Sequence, residues 1–316
     1  MNALLVPVIA GPTAVGKTRV ATALARLVET EIVSADSRQV YRRLDIGTAK
    51  PAAGERAAAP YHGLDLVESG ERYSAGRFAR DATGWIAGIA ARGRLPLIVG
   101  GTGFYLRALF EGLFEEPAID PARRERLRLA LARLPAEEVA RWAKRLDSGF
   151  QGGGAPRAAR ATEVALLTGQ PLTALQRAGP AAKPALAPWY ALLTLPRAVL
   201  AGRIAARTES MLAAGLVEEV RALLQAGVPK GAPGLTGVGY REAIRHLEGR
   251  LDESGLAAAI AQATRRYAKR QETWFRHQLA GQVVRFDASL EPETLAREVL
   301  SRYRAALRTL EPDHAS

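Results

Sequence analysis

The stretch LLVPVIAGPTAVGKT, residues 4–18, joins a short apolar run to a glycine-rich loop. Residues 4–10 have the length and apolar character of a buried strand, and a helix is predicted after the loop, as far as about Val28. Gly11–Thr18 matches the phosphate-loop pattern in full, and the strand before it and the helix after it are the context that this pattern requires. The stretch therefore predicts a binding site for a diphosphate or triphosphate, but it does not predict hydrolysis.

Two kinds of phosphate ligand are expected from this loop. Backbone N–H groups and the helix N-terminus are suited to phosphate oxygens. Lys17 adds a cation, and the hydroxyl of Thr18 can ligate Mg²⁺. The residues predicted to bind the phosphates are Gly11, Thr13, Ala14, Val15, Gly16, Lys17 and Thr18.

Apolar runs alternate with helical segments beyond the loop, which is typical of parallel βαβ units. Ser74 is expected to cap a helix that ends near Gly93, and a long helix is expected near 252–279. Further strands are predicted at 31–35, 62–67, 95–99, 189–195 and 282–288. The predicted fold is α/β, with a P-loop NTPase-like parallel sheet flanked by helices.

The strand and helix alternation stops after about residue 113. Asp120 and Pro121 are typical of a helix N-cap and first helical residue, and several short helices without a clear strand are expected to follow. Residues 114–182 are therefore predicted to form a helical insertion. Residues 1–113 and 183–316 are predicted to form the P-loop-like core.

Asp36 follows the second predicted strand, at the start of the stretch SADSRQVYRRLDIGTAKP, residues 34–51. Ligands of such sheets bind beyond the carboxyl ends of the strands, so Asp36 is expected beside the phosphate loop. It could hold Mg²⁺, act as a general base, or form a turn at the strand end. The position favours a functional role, but the residue alone does not separate base from metal ligand.

The stretch GGTGFY, residues 100–105, ends another buried strand. Its glycines allow close backbone approach to a ligand, and Thr102 can either offer a hydroxyl or cap the following helix. The strand ends in Gly-Gly-Thr and not in an acidic pair, which disfavours a mechanochemical ATPase.

Two basic stretches follow the insertion. Arg203 and Arg207 share a helix face and could place a cation over the phosphate site, or could both be exposed. TRRYAKRQETWFR, residues 264–276, combines basic and aromatic residues in one helix. Tyr267 and Trp274, seven residues apart, are expected in the core and not as base-stacking side chains.

The formal net charge is +12, and the isoelectric point is about 10.4. Either a polyanionic partner such as nucleic acid or a general enrichment in Arg explains this. Residues 120–160 contain ten Lys and Arg but only five acidic residues. This excess of positive charge suits the insertion to contact with a phosphate backbone.

The chain has no cysteine, which excludes disulfides, thiolate zinc sites and a cysteine nucleophile, and fits a reducing cytosol. The four histidines show no metal-ligand spacing. The N-terminus does not have the pattern of a signal peptide, and no apolar run is long enough for a membrane span.

Three stretches resemble the N-terminal motifs of tRNA dimethylallyltransferases, also called tRNA isopentenyltransferases: GPTAVGKT, SADSRQVYRRLDIGTAKP and LIVGGTGFYLRAL, residues 97–109. The resemblance continues in the same order to the end of the long helix, at residues 157–175, 203–224, 237–242 and 264–276. Without cysteine, the chain lacks the zinc finger of eukaryotic members, so it resembles the bacterial type.

The resemblance implies a reaction. Such enzymes transfer a dimethylallyl group from dimethylallyl diphosphate to the exocyclic amine of the adenosine 3′ of the tRNA anticodon, with release of diphosphate and a need for Mg²⁺. By resemblance, Asp36 is the general base, Thr102 contacts the substrate, and Lys17, Thr18 and Arg207 hold diphosphate and Mg²⁺.

The resemblance also implies contacts with tRNA and a cytoplasmic enzyme that we expect to be a monomer without membrane contact. Gln39 is suited to reading an adenine edge, and Lys50 is expected to favour the RNA backbone. The residues expected to contact tRNA are Asp36, Ser37, Arg38, Gln39, Thr102, Arg124, Arg157 and Arg160.

Two other functions compete with prenyl transfer. A small-molecule kinase would hold ATP in the loop and use Asp36 as a base toward a hydroxyl. A non-catalytic RNA-binding protein would keep the loop as a relic. The motifs between residues 157 and 276 and the high isoelectric point disfavour the kinase.

Overall fold

The computed structural model describes residues 3–114, 117, 119–179 and 185–309. The chain divides into two compact units. The core unit joins Met1–Phe110 to Pro184–Ser316, and the insertion unit is Glu111–Lys183.

In the described part of the core unit, six parallel strands form one sheet: β1 (Leu4–Ala10), β2 (Thr30–Ala35), β3 (Tyr61–His62), β4 (Leu95–Gly100), β5 (Leu186–Thr194) and β6 (Gln282–Asp287). Their order across the sheet is β3-β2-β4-β1-β5-β6. The central strands are almost continuously buried, as expected for a parallel sheet covered on both faces. The predicted α/β fold with a P-loop-like parallel sheet is confirmed.

Helices connect the strands and cover the sheet. In the core unit they are α1 (Lys17–Ala25), α2 (Ala53–Arg56), α3 (Ala75–Ala91), α4 (Gly103–Phe110), α9 (Arg197–Ala213), α10 (Leu216–Gln225), α11 (Tyr240–Leu247), α12 (Glu253–Gln278) and α13 (Pro292–Arg308). A 3₁₀ turn, Pro233–Thr236, precedes α11. Ser74 caps α3 as predicted, by accepting a hydrogen bond from the backbone N–H of Arg77 at 3.1 Å. In the described part of the chain, no helix has the length and apolarity needed to cross a membrane.

The third strand is much shorter than the prediction of 62–67. Gly63 and Asp65 have φ angles of +86° and +54°, which are incompatible with an extended strand. The chain therefore leaves the sheet after His62, and Val67 forms only an isolated bridge with Tyr41. The six-residue strand prediction was wrong because apolar residues there pack from a turn and not from the sheet.

Among its described residues, the insertion unit has four helices: α5 (Pro121–Ala132), α6 (Ala136–Leu146), α7 (Ala155–Thr168) and α8 (Leu172–Ala178). Asp120 caps α5, and Pro121 is its first residue, as predicted. Small side chains allow α6 and α7 to pack closely, and the buried cluster between them is Val139, Ala143, Ala158 and Ala161.

The register of the central strands brings three loops to one edge of the sheet. Gly100 of β4 is the partner of Ala10 in β1 and of Ala35 in β2. A Cβ atom on Gly100 would lie 2.2 Å from the carbonyl oxygen of Ala35, so only glycine fits. Three loops therefore begin side by side: the phosphate loop (Gly11–Thr18), the segment from Asp36 to Pro51 (the Asp36 segment) and the turn at Gly101 and Thr102 (the Thr102 turn).

Candidate active site

The phosphate loop lies between β1 and α1, and Lys17 is the first residue of that helix. Gly11, Ala14 and Gly16 have positive φ angles, which produce the tight turn in which backbone N–H groups can converge on an anion. The ammonium group of Lys17 donates hydrogen bonds to the carbonyl oxygens of Gly11 at 3.0 Å and Pro12 at 2.8 Å. The side chain of Lys17 therefore lies against the phosphate loop, with which it is predicted to bind the phosphates.

The electrostatics of Lys17 connect it with two other predicted site residues. Burial lowers the pKa of Lys17 to about 8. The carboxylate of Asp36 raises that pKa, and the guanidinium of Arg207 lowers it. All three side chains are therefore close enough for their charges to interact.

Asp36 and Thr102 occupy the ends of neighbouring strands. The carboxylate of Asp36 accepts a hydrogen bond from the backbone N–H of Arg38 at 2.8 Å, so the predicted turn is present. The hydroxyl of Thr102 accepts from the backbone N–H of Ser37 at 3.0 Å, and the N–H of Thr102 donates to Ala35 at 3.2 Å. The Thr102 turn is thereby joined to the segment that carries Asp36.

The two arginines of α9 have different surroundings. Arg203 donates to the carbonyl oxygens of Val15 and Ala288, both at 3.1 Å, and so supports the phosphate loop from behind. Arg207 lines a cavity together with Asp36. Burial lowers the pKa of Arg207, and the charge of Asp36 opposes this effect. Neither arginine is exposed, so the alternative of two exposed arginines is excluded. The binding of a phosphate by Arg207 stays a prediction.

A cavity of about 310 Å³ opens beside these residues within the core unit. Its apolar wall consists of Ile204, Met211, Val238 and Ile260. Its charged side chains are Asp36, Arg38, Arg207, Arg241 and Arg270. Asp36 is the single acidic residue among the described residues that line the cavity, so the cavity favours an anionic ligand with an apolar part.

Helix α12 contributes more to this cavity than the sequence suggested. Tyr267 is half-buried and lines the cavity, so its prediction as a core residue was wrong. Burial, with a smaller effect from the charge of Asp36, raises the pKa of Tyr267 to about 12. Trp274 is half-buried and packs against Gly103, the first residue of α4. A Cβ atom on Gly103 would lie 2.2 Å from the Trp274 ring.

Two side chains, Arg38 and Glu219, form hydrogen bonds that connect the Asp36 segment with other parts of the core unit around the cavity. Arg38 donates to the carbonyl oxygen of Pro233 at 2.8 Å and to the hydroxyl of Thr236 at 3.0 Å. Glu219 of α10 binds the loop that contains Gly47, another residue of the lining. These contacts join residues of the cavity lining that are far apart in the sequence.

Gln39 and Lys50 also bind this loop, Gln39 from a partly buried position and Lys50 from a buried one. The amide of Gln39 accepts a hydrogen bond from the hydroxyl of Ser34 at 2.9 Å and donates to the carbonyl oxygens of Thr48 and Ala49. The side chain of Lys50 is only 2% exposed and pairs with Asp45 and Asp65. The predicted contact of Lys50 with RNA is therefore wrong, since its charge is neutralised in the interior.

Arginines of the insertion unit converge on one buried acid. Glu163 is 4% exposed and lies 2.6 Å from a guanidinium nitrogen of Arg160, 2.7 Å from one of Arg128 and 3.5 Å from one of Arg124. Arg157, in the first turn of α7, is exposed. Two residues predicted to contact tRNA, Arg124 and Arg160, thus also organise the insertion unit.

The magnesium prediction depends on oxygen donors near the phosphate loop. No group of three or more His, Cys, Asp or Glu suited to a metal ion occurs among the residues that the structure describes. Mg²⁺ is usually held by one or two protein oxygens together with substrate phosphates. The hydroxyl of Thr18 and the carboxylate of Asp36 are donors of this kind, so the residues fit an ion that enters with a diphosphate.

Three side chains at the cavity could not be found from local patterns. Gln271, Glu219 and Arg241 all stabilise or line the cavity. Gln271 stands one helical turn after Tyr267 in the basic and aromatic stretch, and this spacing is the only sequence signal that points to it.

The glycine-rich loop between β1 and α1, the parallel sheet and the cavity at its carboxyl edge define an α/β protein of the P-loop class. The cavity combines a carboxylate, several arginines and an apolar wall, which suits transfer of an apolar group from a diphosphate.

Comparison with known proteins identifies the family within this class. The family model described as IPP transferase matches residues 39–278, and the model described as isopentenyl transferase matches residues 4–59. A tRNA dimethylallyltransferase of Anaeromyxobacter sp. (strain K) is 45% identical over 95% of this chain and 99% of its own length. Another of Halorhodospira halophila is 46% identical over 89% and 92%. The chain belongs to the tRNA dimethylallyltransferase family, as its motifs suggested.

Solved structures agree with this assignment. The tRNA isopentenylpyrophosphate transferase of Bacillus halodurans is similar with a TM-score of 0.72 and 31% identity, over 98% of both chains. A eukaryotic dimethylallyltransferase described as acting on tRNA has a TM-score of 0.80, over 98% of this chain and 81% of its own. Its identity of 24% supports the fold alone.

Proposed function

We propose that this protein transfers the dimethylallyl group of dimethylallyl diphosphate to the exocyclic amine of the adenosine 3′ of the tRNA anticodon. The observation that carries the proposal is the cavity in which one carboxylate, Asp36, lies among arginines beside the phosphate loop. Full-length relatives named tRNA dimethylallyltransferase support the choice of both substrates.

The donor is assigned to the phosphate loop and the apolar wall. Lys17, the backbone N–H groups of the loop and Arg207 would bind the diphosphate, and the side chains of Met211 and Ile260 would contact the dimethylallyl chain. As the bond between the allylic carbon and the diphosphate oxygen breaks, these cations stabilise the negative charge that develops on the leaving group. The hydroxyl of Thr18 would help to hold Mg²⁺, which would supply further positive charge toward the leaving group.

The acceptor is assigned to the Asp36 side of the cavity. The adenine has to leave its stack to reach this position. Its amine forms the new bond to the allylic carbon, and Asp36 takes the proton that the amine loses, while diphosphate leaves. Thr102, which is hydrogen-bonded to Ser37 next to Asp36, would contact the reacting groups.

The remaining tRNA contacts are assigned to the polar segment after Asp36 and to the insertion unit. The side chains proposed to contact tRNA are those of Ser37, Arg38, Gln39, Arg124, Arg157 and Arg160. The exposed Arg157 is suited to a phosphate contact. The insertion, predicted at 114–182, is proposed as the tRNA-contacting subdomain of a monomer.

The proposal is tested by incubating the protein with tRNA, Mg²⁺ and radiolabelled dimethylallyl diphosphate, with unlabelled ATP as a competing ligand. We expect label in tRNA at one equivalent per anticodon, with little competition by ATP. Absence of label in tRNA would refute the proposal. Transfer of label from γ-labelled ATP to a hydroxyl substrate would favour the kinase instead.

A further inference from the structure

Gln271 of α12 connects the phosphate loop with the Thr102 turn. Its side-chain oxygen accepts a hydrogen bond from the backbone N–H of Thr13 at 2.9 Å. Its side-chain nitrogen donates to the carbonyl oxygen of Gly101 at 2.8 Å. These partners fix the orientation of the amide, because an N–H must donate and a carbonyl oxygen must accept.

The site of this contact is closely packed. Gln271 is 7% exposed. A Cβ atom on Gly101 would lie 2.4 Å from the Gln271 side-chain nitrogen and 3.3 Å from the carbonyl oxygen of Gly11. The two loops and the amide therefore leave no space between them, and glycine is required at position 101.

The contact begins where the sheet ends. Strands β1 and β4 pair as far as Ala10 and Gly100, and beyond that point the chain turns away on both sides. The Gln271 amide bonds one backbone group of each loop past the last paired residues. It therefore extends the connection between the two strands into the region where the chemistry takes place.

Each of the two loops serves a different substrate in the proposed function. The phosphate loop binds the diphosphate of the donor. The Thr102 turn is hydrogen-bonded to Ser37, next to the base Asp36, on the acceptor side. A side chain that ties these loops sets the distance between the allylic carbon and the amine, on which the rate of group transfer depends strongly.

We propose that Gln271 is a positioning residue that sets the spacing between the prenyl donor and the acceptor amine. This inference rests on the proposed function. It predicts that a loosened site still activates the donor but transfers its prenyl group less often to the amine. Water then captures the allylic carbon, so that dimethylallyl diphosphate and water give dimethylallyl alcohol, diphosphate and a proton.

The test compares Gln271→Met with the parent protein. Met keeps the volume of the side chain but makes neither hydrogen bond. We expect kcat for prenyl transfer to fall about 100-fold, the cost of a misplacement of roughly 1 Å, with the KM for tRNA changed less than about threefold. The ratio of diphosphate released to prenyl groups found in tRNA should rise above one. Gln262→Met, the same change at an exposed position of α12, is the matched control.

A second variant covers the case in which Gln271→Met unfolds. Gln271→Glu keeps an oxygen for the N–H of Thr13 but cannot donate to Gly101, and it should also raise the ratio of diphosphate release to transfer. A ratio of one in both variants, with kcat proportional to the folded fraction, would overturn the inference while the proposed function stands. If the parent protein transfers no prenyl group, the proposed function itself fails.

Discussion

Asp36 has a structural role and a proposed catalytic role, and a suitable substitution removes one and keeps the other. Its carboxylate accepts a hydrogen bond from Arg38 and also lines the cavity. Asn can keep the first contact, since its side-chain oxygen also accepts, but it cannot take a proton.

We expect Asp36→Asn and Asp36→Ala to lower the turnover of prenyl transfer by about 100-fold or more, because both remove the proposed base. The affinity for tRNA should change less. Single-turnover kinetics and equilibrium binding of tRNA measure the two quantities separately. A large loss of affinity at unchanged turnover would show that Asp36 binds tRNA and does not act as a base.

Lys17 makes binding of the donor depend on pH. Burial lowers the pKa of Lys17 to about 8 in the ligand-free protein. A bound diphosphate favours the charged ammonium, so binding raises this pKa. Donor affinity should therefore be constant below about pH 8, as far as Lys17 is concerned, and should fall above it by at most about tenfold per pH unit.

Calorimetric titration with dimethylallyl diphosphate between pH 7 and pH 10 measures this dependence. Lys17→Arg is the control, since Arg stays charged throughout this range. Equal slopes for the parent and the variant would mean that another group causes the pH dependence.

At the scale of a single loop, Glu219 shows how one side chain can order a segment. Its carboxylate accepts hydrogen bonds from the backbone N–H groups of Asp45 at 2.8 Å and Ile46 at 2.9 Å, and a longer one from Gly47. It also accepts from the hydroxyl of Tyr240 at 2.7 Å. Burial and the charge of Glu219 both raise the pKa of Tyr240, which therefore stays protonated and donates.

Replacing Glu219 by Gln should destabilise this loop, because the amide nitrogen of Gln would face backbone donors. We expect the free energy of unfolding to fall by about 1–3 kcal/mol, the range for hydrogen bonds to a charged group. Urea unfolding measures it. Glu218→Gln, at the neighbouring exposed residue that pairs with Arg221, should change it by less than about 0.5 kcal/mol. Equal effects of the two substitutions would contradict the role of Glu219.

The strands and helices that carry the site were largely predictable, and the side chains that tie them together were not. Local patterns are enough for the phosphate loop and for Asp36, since each directly follows an apolar strand. Gln271 and Glu219 bind backbone groups that are 258 and 174 residues away along the chain. Because the backbone is the same in almost every residue, the sequence does not show which backbone group a side chain will bind. Lys50 was misjudged because its two acidic partners close around it only after the turns near Asp65 have formed.

On the scale of the whole molecule, the insertion unit is held by its own interactions. The carboxylate of Glu163 is shared by Arg124, Arg128 and Arg160, all within the insertion unit. The side chains proposed to bind the donor all belong to the core unit. A substitution of Glu163 should therefore change the affinity for tRNA and not the affinity for the donor.

We expect Glu163→Gln to lower the free energy of unfolding by about 2 kcal/mol, since the partly exposed arginines lose a buried counter-charge. Affinity for tRNA should fall, and affinity for dimethylallyl diphosphate should remain unchanged. Filter binding of tRNA and calorimetry of the donor measure the two affinities. Glu125→Gln, at an exposed residue 3.9 Å from Arg128, is the control. A loss of donor affinity would contradict the assignment of the insertion to tRNA.

The strand order also has a consequence for how the chain acquires its structure during synthesis. Strand β1 pairs on one side with β4 and on the other with β5, which begins only at Leu186. While the ribosome adds the intervening residues at about 5–20 per second, one edge of β1 has no partner. The helices of the insertion unit are made during this interval and rest on contacts close in sequence, which form quickly. We therefore expect the nascent chain to fold its insertion before its sheet is complete, and to be most prone to aggregation through the open edge of β1 until β5 emerges.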